Sequence, residues 1–251
     1  RRLHDAMPVR LDLERMAGTP LLLTMMARTN QESGLPDGRA ELYENLVHEL
    51  LWEWEKRRTP DEADGNPGGA NAVTPLPPAD TPRDDRSLLE ILRAARPDLG
   101  EEHLEQVLNQ LAYAVHGAGG DDAVEIARET LEKWMRQLAP HAADDGKAKA
   151  AATELATNVV NFIGQRTGLL VDIEDGERFR FTHYTFQEYL AARWIATGGY
   201  GSRLHKMQEK VDDVRWREAV FLALGCMVSS VRESEDVDGF WCERFLHKPP
   251  Q

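Results

Sequence analysis

Cysteine is nearly absent from this chain: two residues, Cys226 and Cys242, in 251 are too few for a disulfide framework, and no paired cysteine and histidine motif of the metal-binding kind accompanies them. They read as ordinary thiols. Cationic charge is also short, with 30 lysines and arginines against 43 aspartates and glutamates and a formal net charge of −13. That balance opposes non-specific attraction to nucleic acid or to an anionic membrane, whose surfaces are themselves negative. Long apolar runs are missing, so no segment is expected to cross a bilayer, and the opening RRLHDAMPVRLDL lacks the apolar core of a signal peptide. A cytoplasmic protein is expected. The sequence starts without methionine, inside helix-type sequence, which points to a piece of a longer polypeptide.

Nucleotide chemistry has no machinery of its own here. Neither GxxxxGK[ST] nor an apolar strand ending in paired acids occurs, so the chain lacks the phosphate cradle and the magnesium-binding carboxylates of a P-loop enzyme. It is not expected to hydrolyse ATP alone. The glycines of Gly65-Asn66-Pro67-Gly68-Gly69 follow no strand and precede no Lys-Ser or Lys-Thr, so they read as a loop. The six tryptophans are scattered and not interleaved with basic residues, which fits core contacts better than a base-stacking platform. The acidic pairs Asp121-Asp122, Asp144-Asp145 and Asp212-Asp213 lie at expected loops or helix starts, where aspartate caps backbone amides more often than it binds metal.

What the sequence does hold is mostly helical periodicity. Leu42, Leu46, Leu50 and Trp54, flanked by Tyr43, Val47 and Leu51, form a wide apolar stripe on a helix that ends in Lys56-Arg57-Arg58. Upstream, Gly18 breaks the pattern and Pro20 sits where proline is tolerated, in the first turn of a helix carrying Leu21, Leu22, Met25 and Met26. Between Thr59 and Asp85 fall six of the thirteen prolines and few apolar residues, an irregular connection. Beyond it, Leu104, Val107, Leu108 and Leu111 define one helix, Val124-Glu125-Ile126 a short strand, and Leu131, Trp134, Met135 and Leu138 a second helix. A third carries Leu155, Val159, Phe162 and Ile163. Two further amphipathic stretches surround Val220 and Phe240.

The densest stretch runs from Gly164 to Ala196. Leu169, Val171 and Ile173, then Phe179 and Phe181, alternate with the two-residue period of strands, and Asp175-Gly176 between them tolerates positive φ. From Tyr184 onward Phe186, Tyr189, Leu190 and Trp194 take helical spacing. His183 therefore stands near a helix N-terminus, where unpaired amides and the helix dipole favour anions and a phosphate contact is feasible. On local chemistry alone, a packed or solvent-facing histidine is the commoner outcome.

The run FRFTHYTFQEYLAARW, ending at Trp194, resembles the signature that closes the winged-helix domain of NACHT-type NTPases, members of the STAND class of signalling switches. The run MAGTPLLLTMMARTNQESGLPDGRAELYENLVHELL, starting at Met16, is similar to the helical segment that follows the NACHT nucleotide-binding core. WREAVFLALG, from Trp216 to Gly225, resembles the opening of the sensor region after the winged helix. The resemblance implies a mainly α chain: a helical subdomain over 1–58, a flexible Pro/Gly-rich linker over 59–86, a winged-helix domain with a small β-hairpin over 87–197, and the start of a helical sensor array over 198–251.

The same resemblance implies a function and a site. His183 would contact the β-phosphate of bound ADP, and Pro20, in Gly18-Thr19-Pro20, would pack by the adenine ring, a role compatible with simply starting a helix. ADP or ATP, with Mg, would be held mainly by the upstream NACHT core. The module would close over ADP at rest, open when a ligand engages the downstream sensor, and release protomers to homo-oligomerise in bacterial signalling or antiphage defence. The parent protein would be an ATPase; this chain would not be an enzyme by itself. Two rivals stand beside this reading. One is a winged-helix transcription regulator reading DNA with the helix from about Lys147 to Arg166, and the other is a structural helical scaffold.

Overall fold

A computed structural model describes residues 38–53, 86–119, 124–139 and 146–233, with side chains to Val228, together with Leu23, Met26, Ala27, Asn30 and Gly34. Pro20, Trp54, the segment 59–85, Asp121-Asp122, Asp144-Asp145, Phe240 and Cys242 lie outside the described residues. Residues Leu46–Trp194 form one compact unit, and the described residues on either side belong to a second. The division falls inside two helices.

Helix α1 spans Arg39–His48 and widens into a π-helical turn over Glu49–Glu53. Its apolar stripe is buried as the spacing predicts, from Leu42 and Tyr43 through Leu46, Val47, Leu50 and Leu51. The wide turn brings in Trp52, which is 6% exposed although it lies off the 3.6-residue stripe, and its indole N–H donates to Glu105 Oε1 at 3.1 Å.

Helix α2, Leu88–Ala95, was not marked by the periodicity alone, yet its start is written in Ser87-Leu88-Leu89-Glu90. Ser87 Oγ accepts the Glu90 amide at 3.3 Å, and Glu90 Oε2 accepts the Ser87 amide at 2.7 Å, a reciprocal capping box. Helix α3, Glu101–Ala118, buries Leu104, Val107, Leu108 and Leu111. Strand β1 is Ile126–Ala127, shorter and later than the Val124-Glu125-Ile126 expected, and Val124 is exposed. Helix α4, Arg128–Met135, then runs through a 3-10 turn over Arg136–Leu138. Helix α5, Gly146–Phe162, ends in a π-helical turn over Ile163–Thr167, and Gly168 terminates it in the left-handed region at φ 70°.

Strands β2, Leu170–Asp172, and β3, Arg178–Phe181, form the hairpin, and β3 lies between β2 and β1 in an antiparallel sheet. At the tip Asp175 and Gly176 take φ of 43° and 85°, and the Glu177 amide donates to the Glu174 carbonyl at 2.7 Å. Two consecutive positive φ angles match the twist of the strands, which is why Asp-Gly is placed here. The facing of β2 differs from the Leu169, Val171, Ile173 alternation. Leu170 pairs with Phe181 and Asp172 with Phe179, so the face shared with the two buried phenylalanines is that of Leu170. Val171 and Ile173 fall on the opposite face, and Ile173 is 37% exposed. The register with β3 decides the facing, and a shift by one residue inverts it.

Phe179 is clamped at Gly164, where a Cβ would stand 2.5 Å from its ring. Helix, strand, helix, helix and hairpin, in that order and on a three-stranded antiparallel sheet, make a winged helix. Helix α6, Tyr184–Ala196, closes it. In the second unit, α7, Tyr200–Gln208, precedes α8, Arg217–Glu233. The buried face of α8 carries Ala219, Leu222, Ala223, Cys226 and Met227.

Candidate functional site

His183 is the second residue of the two-residue joint, Thr182-His183, between β3 and α6. The strand side is fixed by the Thr182 amide, which donates to the Leu169 carbonyl at 3.0 Å, and by the Thr182 hydroxyl, which donates to the Gly168 carbonyl. The helix side is fixed by His183 itself. Its carbonyl accepts the Phe186 amide at 3.0 Å, and its ring Nδ1 accepts the Thr185 amide at 3.3 Å. The imidazole thus does what serine or aspartate does at most helix starts. Thr185 Oγ1 lies 2.7 Å from the same Nδ1.

Two consequences follow for the chemistry. Nδ1 accepts a backbone N–H, so the ring proton resides on Nε2. Burial also holds the pKa of His183 below the ordinary histidine value, leaving the ring neutral at neutral pH. The open cradle of amides anticipated from the sequence is modified: the Thr185 and Phe186 amides are bonded to His183.

Behind His183 stands a second histidine that sequence periodicity did not single out. His116, in the last turn of α3, is 1% exposed. The Tyr184 hydroxyl lies 3.2 Å from its Nδ1, the Gln187 amide nitrogen 3.5 Å from the same atom, and the Tyr184 and His116 rings are 5.5 Å apart. At the other end of the two helices, Arg193 approaches Glu105 at 4.0 Å. The early residue of α3 meets the late residue of α6 and the reverse, so the pair runs antiparallel with polar contacts at both ends. Only the i, i+4 and i+11 spacing of Glu105, Asn109 and His116 could have signalled this stripe.

The wing is tied to the helices through Arg128, the first residue of α4. Its Nε bonds Glu132 at 3.0 Å, one terminal nitrogen bonds the Gly176 carbonyl at 3.1 Å, and the other bonds Asn161 Oδ1 at 2.6 Å. Its backbone N–H donates to the Glu177 carbonyl at 2.8 Å. Glu132 also accepts from Thr157, so α4, α5 and the hairpin tip meet at one guanidinium.

The surface that would face DNA in a winged helix is acidic at the wing. Asp172, Glu174, Asp175 and Glu177 are all exposed around the turn, and Arg178 is paired with Glu125 and Glu174. Arg166 lies over the Phe162 ring at 4.6 Å. Asp213 caps the turn at Val214–Trp216 through its Oδ1 and the Arg215 amide, the capping role anticipated for that acidic pair. Among the described residues no group of three or more histidine, cysteine, aspartate or glutamate side chains is arranged to hold a metal ion, and no helix is long and apolar enough to cross a membrane.

A family model for the winged helix-turn-helix domain C-terminal to NACHT matches residues 39–195. No curated protein and no solved structure matches the chain. The match starts at α1, upstream of the Pro/Gly-rich segment, and ends in α6, so it takes in every element of the winged helix described above. With that span and that element order, the chain belongs to the family of winged helix-turn-helix domains C-terminal to NACHT.

Proposed function

We propose that this winged helix is the regulatory cover of a NACHT nucleotide switch, lying downstream of the nucleotide-binding core in the same polypeptide and closing over ADP at rest. The winged helix is non-catalytic, and hydrolysis of ATP, with Mg, belongs in this reading to the upstream core. The observation that carries it is the anchoring of His183: ring Nδ1 accepts the Thr185 amide, which selects the tautomer with the proton on Nε2. A phosphate offers only acceptors at neutral pH, so an oriented imidazole N–H is a chemically matched partner.

Pro20 beside the adenine ring remains part of the proposal through Gly18-Thr19-Pro20. The apolar stripe of Phe221, Leu224 and Val228 on the exposed face of α8 supports continuation into a helical sensor packed on that face. Opening on ligand engagement, homo-oligomerisation and a role in bacterial signalling or antiphage defence complete the reading. Each ligand must then favour one of two states, because equal affinity for both shifts nothing.

The test is to express the chain joined to its NACHT core, denature the purified protein and identify the nucleotide released from wild type and His183→Ala. Near-stoichiometric ADP from wild type and a lower yield from the variant support the reading. Equal yields assign His183 to the fold alone, and no nucleotide from either favours the scaffold or DNA-binding rivals.

A further inference from the structure

We propose that His116 is a positioning residue for His183, acting through Tyr184 and Gln187 at the junction of α3 and α6. This deepens the nucleotide-switch reading and rests on it.

The aim of the His183 ring depends on the first turn of α6, because the amide that holds Nδ1 belongs to Thr185 and the amide that holds its carbonyl belongs to Phe186. That turn is held from two sides. Phe186 is 0% exposed and packs it into the core. The polar contacts to His116 add a directional restraint to that packing. Tyr184 at the first helical position and Gln187 one turn later both reach the same Nδ1, at 3.2 and 3.5 Å, on a ring that is itself 1% exposed. An amide nitrogen can only donate, so Nδ1 of His116 is on the accepting side, its one lone pair shared between the two groups. This shared polar contact at a buried atom restrains the first turn of α6 about its axis, and with it the direction in which His183 presents Nε2. Tyr184 as a whole is 41% exposed, and its ring meets that of His116 at 5.5 Å.

The experiment measures His183 directly, in the 251-residue chain, by long-range proton–nitrogen NMR of the histidine rings in wild type, Tyr184→Phe and Gln187→Met. Both substitutions keep side-chain bulk. The expected result in each variant is a shift of the His183 nitrogen pair toward the averaged values of a mobile ring, with the thermal midpoint nearly unchanged. His116→Gln, which can restore an acceptor, should return the pair part of the way that His116→Leu takes it. In the chain joined to its NACHT core, Tyr184→Phe should speed ADP release by about two- to tenfold, the worth of one neutral hydrogen bond. Wild-type His183 signals in both Tyr184→Phe and Gln187→Met would overturn the positioning role. The failure of the underlying reading is separate: ADP release unaffected by His183→Ala refutes the phosphate contact whatever the ring signals do. If Tyr184→Phe fails to fold, Gln187→Met decides by the same signals.

Discussion

Nδ1 of His183 accepts the amide of Thr185, two residues along the chain, so the side chain starts α6 in the tautomer whose proton is on Nε2. Capping and the proposed phosphate contact can be separated. Asparagine is among the best residues at a helix start, whereas alanine provides no acceptor. His183→Ala should lower stability by about 0.5–2 kcal/mol, and His183→Asn should stay within about 0.5 kcal/mol of wild type. Both should lose the nucleotide contact. Urea unfolding gives the first quantity and ADP retention by the core-linked protein the second; an Asn variant that retains ADP like wild type would show that capping is the whole of the role.

The titration of His183 has a defined sign. Burial depresses its pKa in the folded chain, so between that value and the ordinary histidine value of about 6.5 the unfolded chain holds more protons. The contribution to stability is therefore complete above about pH 6.5 and is lost as pH falls through the folded pKa. Thermal midpoints from pH 7.5 to pH 5 should fall for wild type more than for His183→Asn. A phosphate partner reverses the preference, since an anion favours the imidazolium. In the core-linked protein, ADP binding should then take up a proton near pH 6 in wild type and not in His183→Asn, which calorimetry in two buffers of different ionisation enthalpy can read.

Arg128 joins α4, α5 and the wing through Glu132, Asn161 and the Gly176 carbonyl. Its side chain is 23% exposed and that of Glu132 16%, so neither charge is well screened by water. Arg128→Ala should cost about 1–3 kcal/mol, because it takes from the half-buried Glu132 carboxylate the closer of its two arginine partners, the other being Arg136 at 3.5 Å. Glu132→Gln in the Arg128→Ala background should recover part of the loss. A double-mutant cycle from urea midpoints measures the coupling, and an additive cycle would contradict the bracing role.

Gly164 is required by contact and not by backbone angle. A methyl group there meets the Phe179 ring at 2.5 Å. Gly164→Ala gains about 1 kcal/mol of helix propensity but overpacks the hairpin against α5, for a net loss of about 0–2 kcal/mol. Adding Phe179→Leu should make the alanine favourable, and thermal midpoints of the single and double variants check it.

How much of this was legible in the sequence follows from the physics of each feature. Helix positions and the buried faces of α3 and α5 follow from apolar spacing, and the hairpin tip from Asp175-Gly176, because these signals are local. The capping box at Ser87 and Glu90 is equally local, but the helix behind it is too short to carry a long periodic run. The facing of β2 was not legible: Leu169, Leu170 and Val171 are all apolar, and only pairing with Phe179 and Phe181 selects Leu170. His183 was found by its place at a change of period. The closure of that helix end by its own ring was not, nor was His116, whose contacts lie 68 and 71 residues away along the chain. Long-range polar contacts leave no periodic trace.

The rate at which ADP leaves the core-linked protein, for wild type against His183→Asn, tests the central claim most directly, since that variant keeps the helix start. A hydrogen bond to an ionised phosphate is worth about 1.5–3 kcal/mol, so release should quicken about ten- to a hundredfold in the variant. Equal rates, with ADP bound to both, would contradict a nucleotide latch at His183.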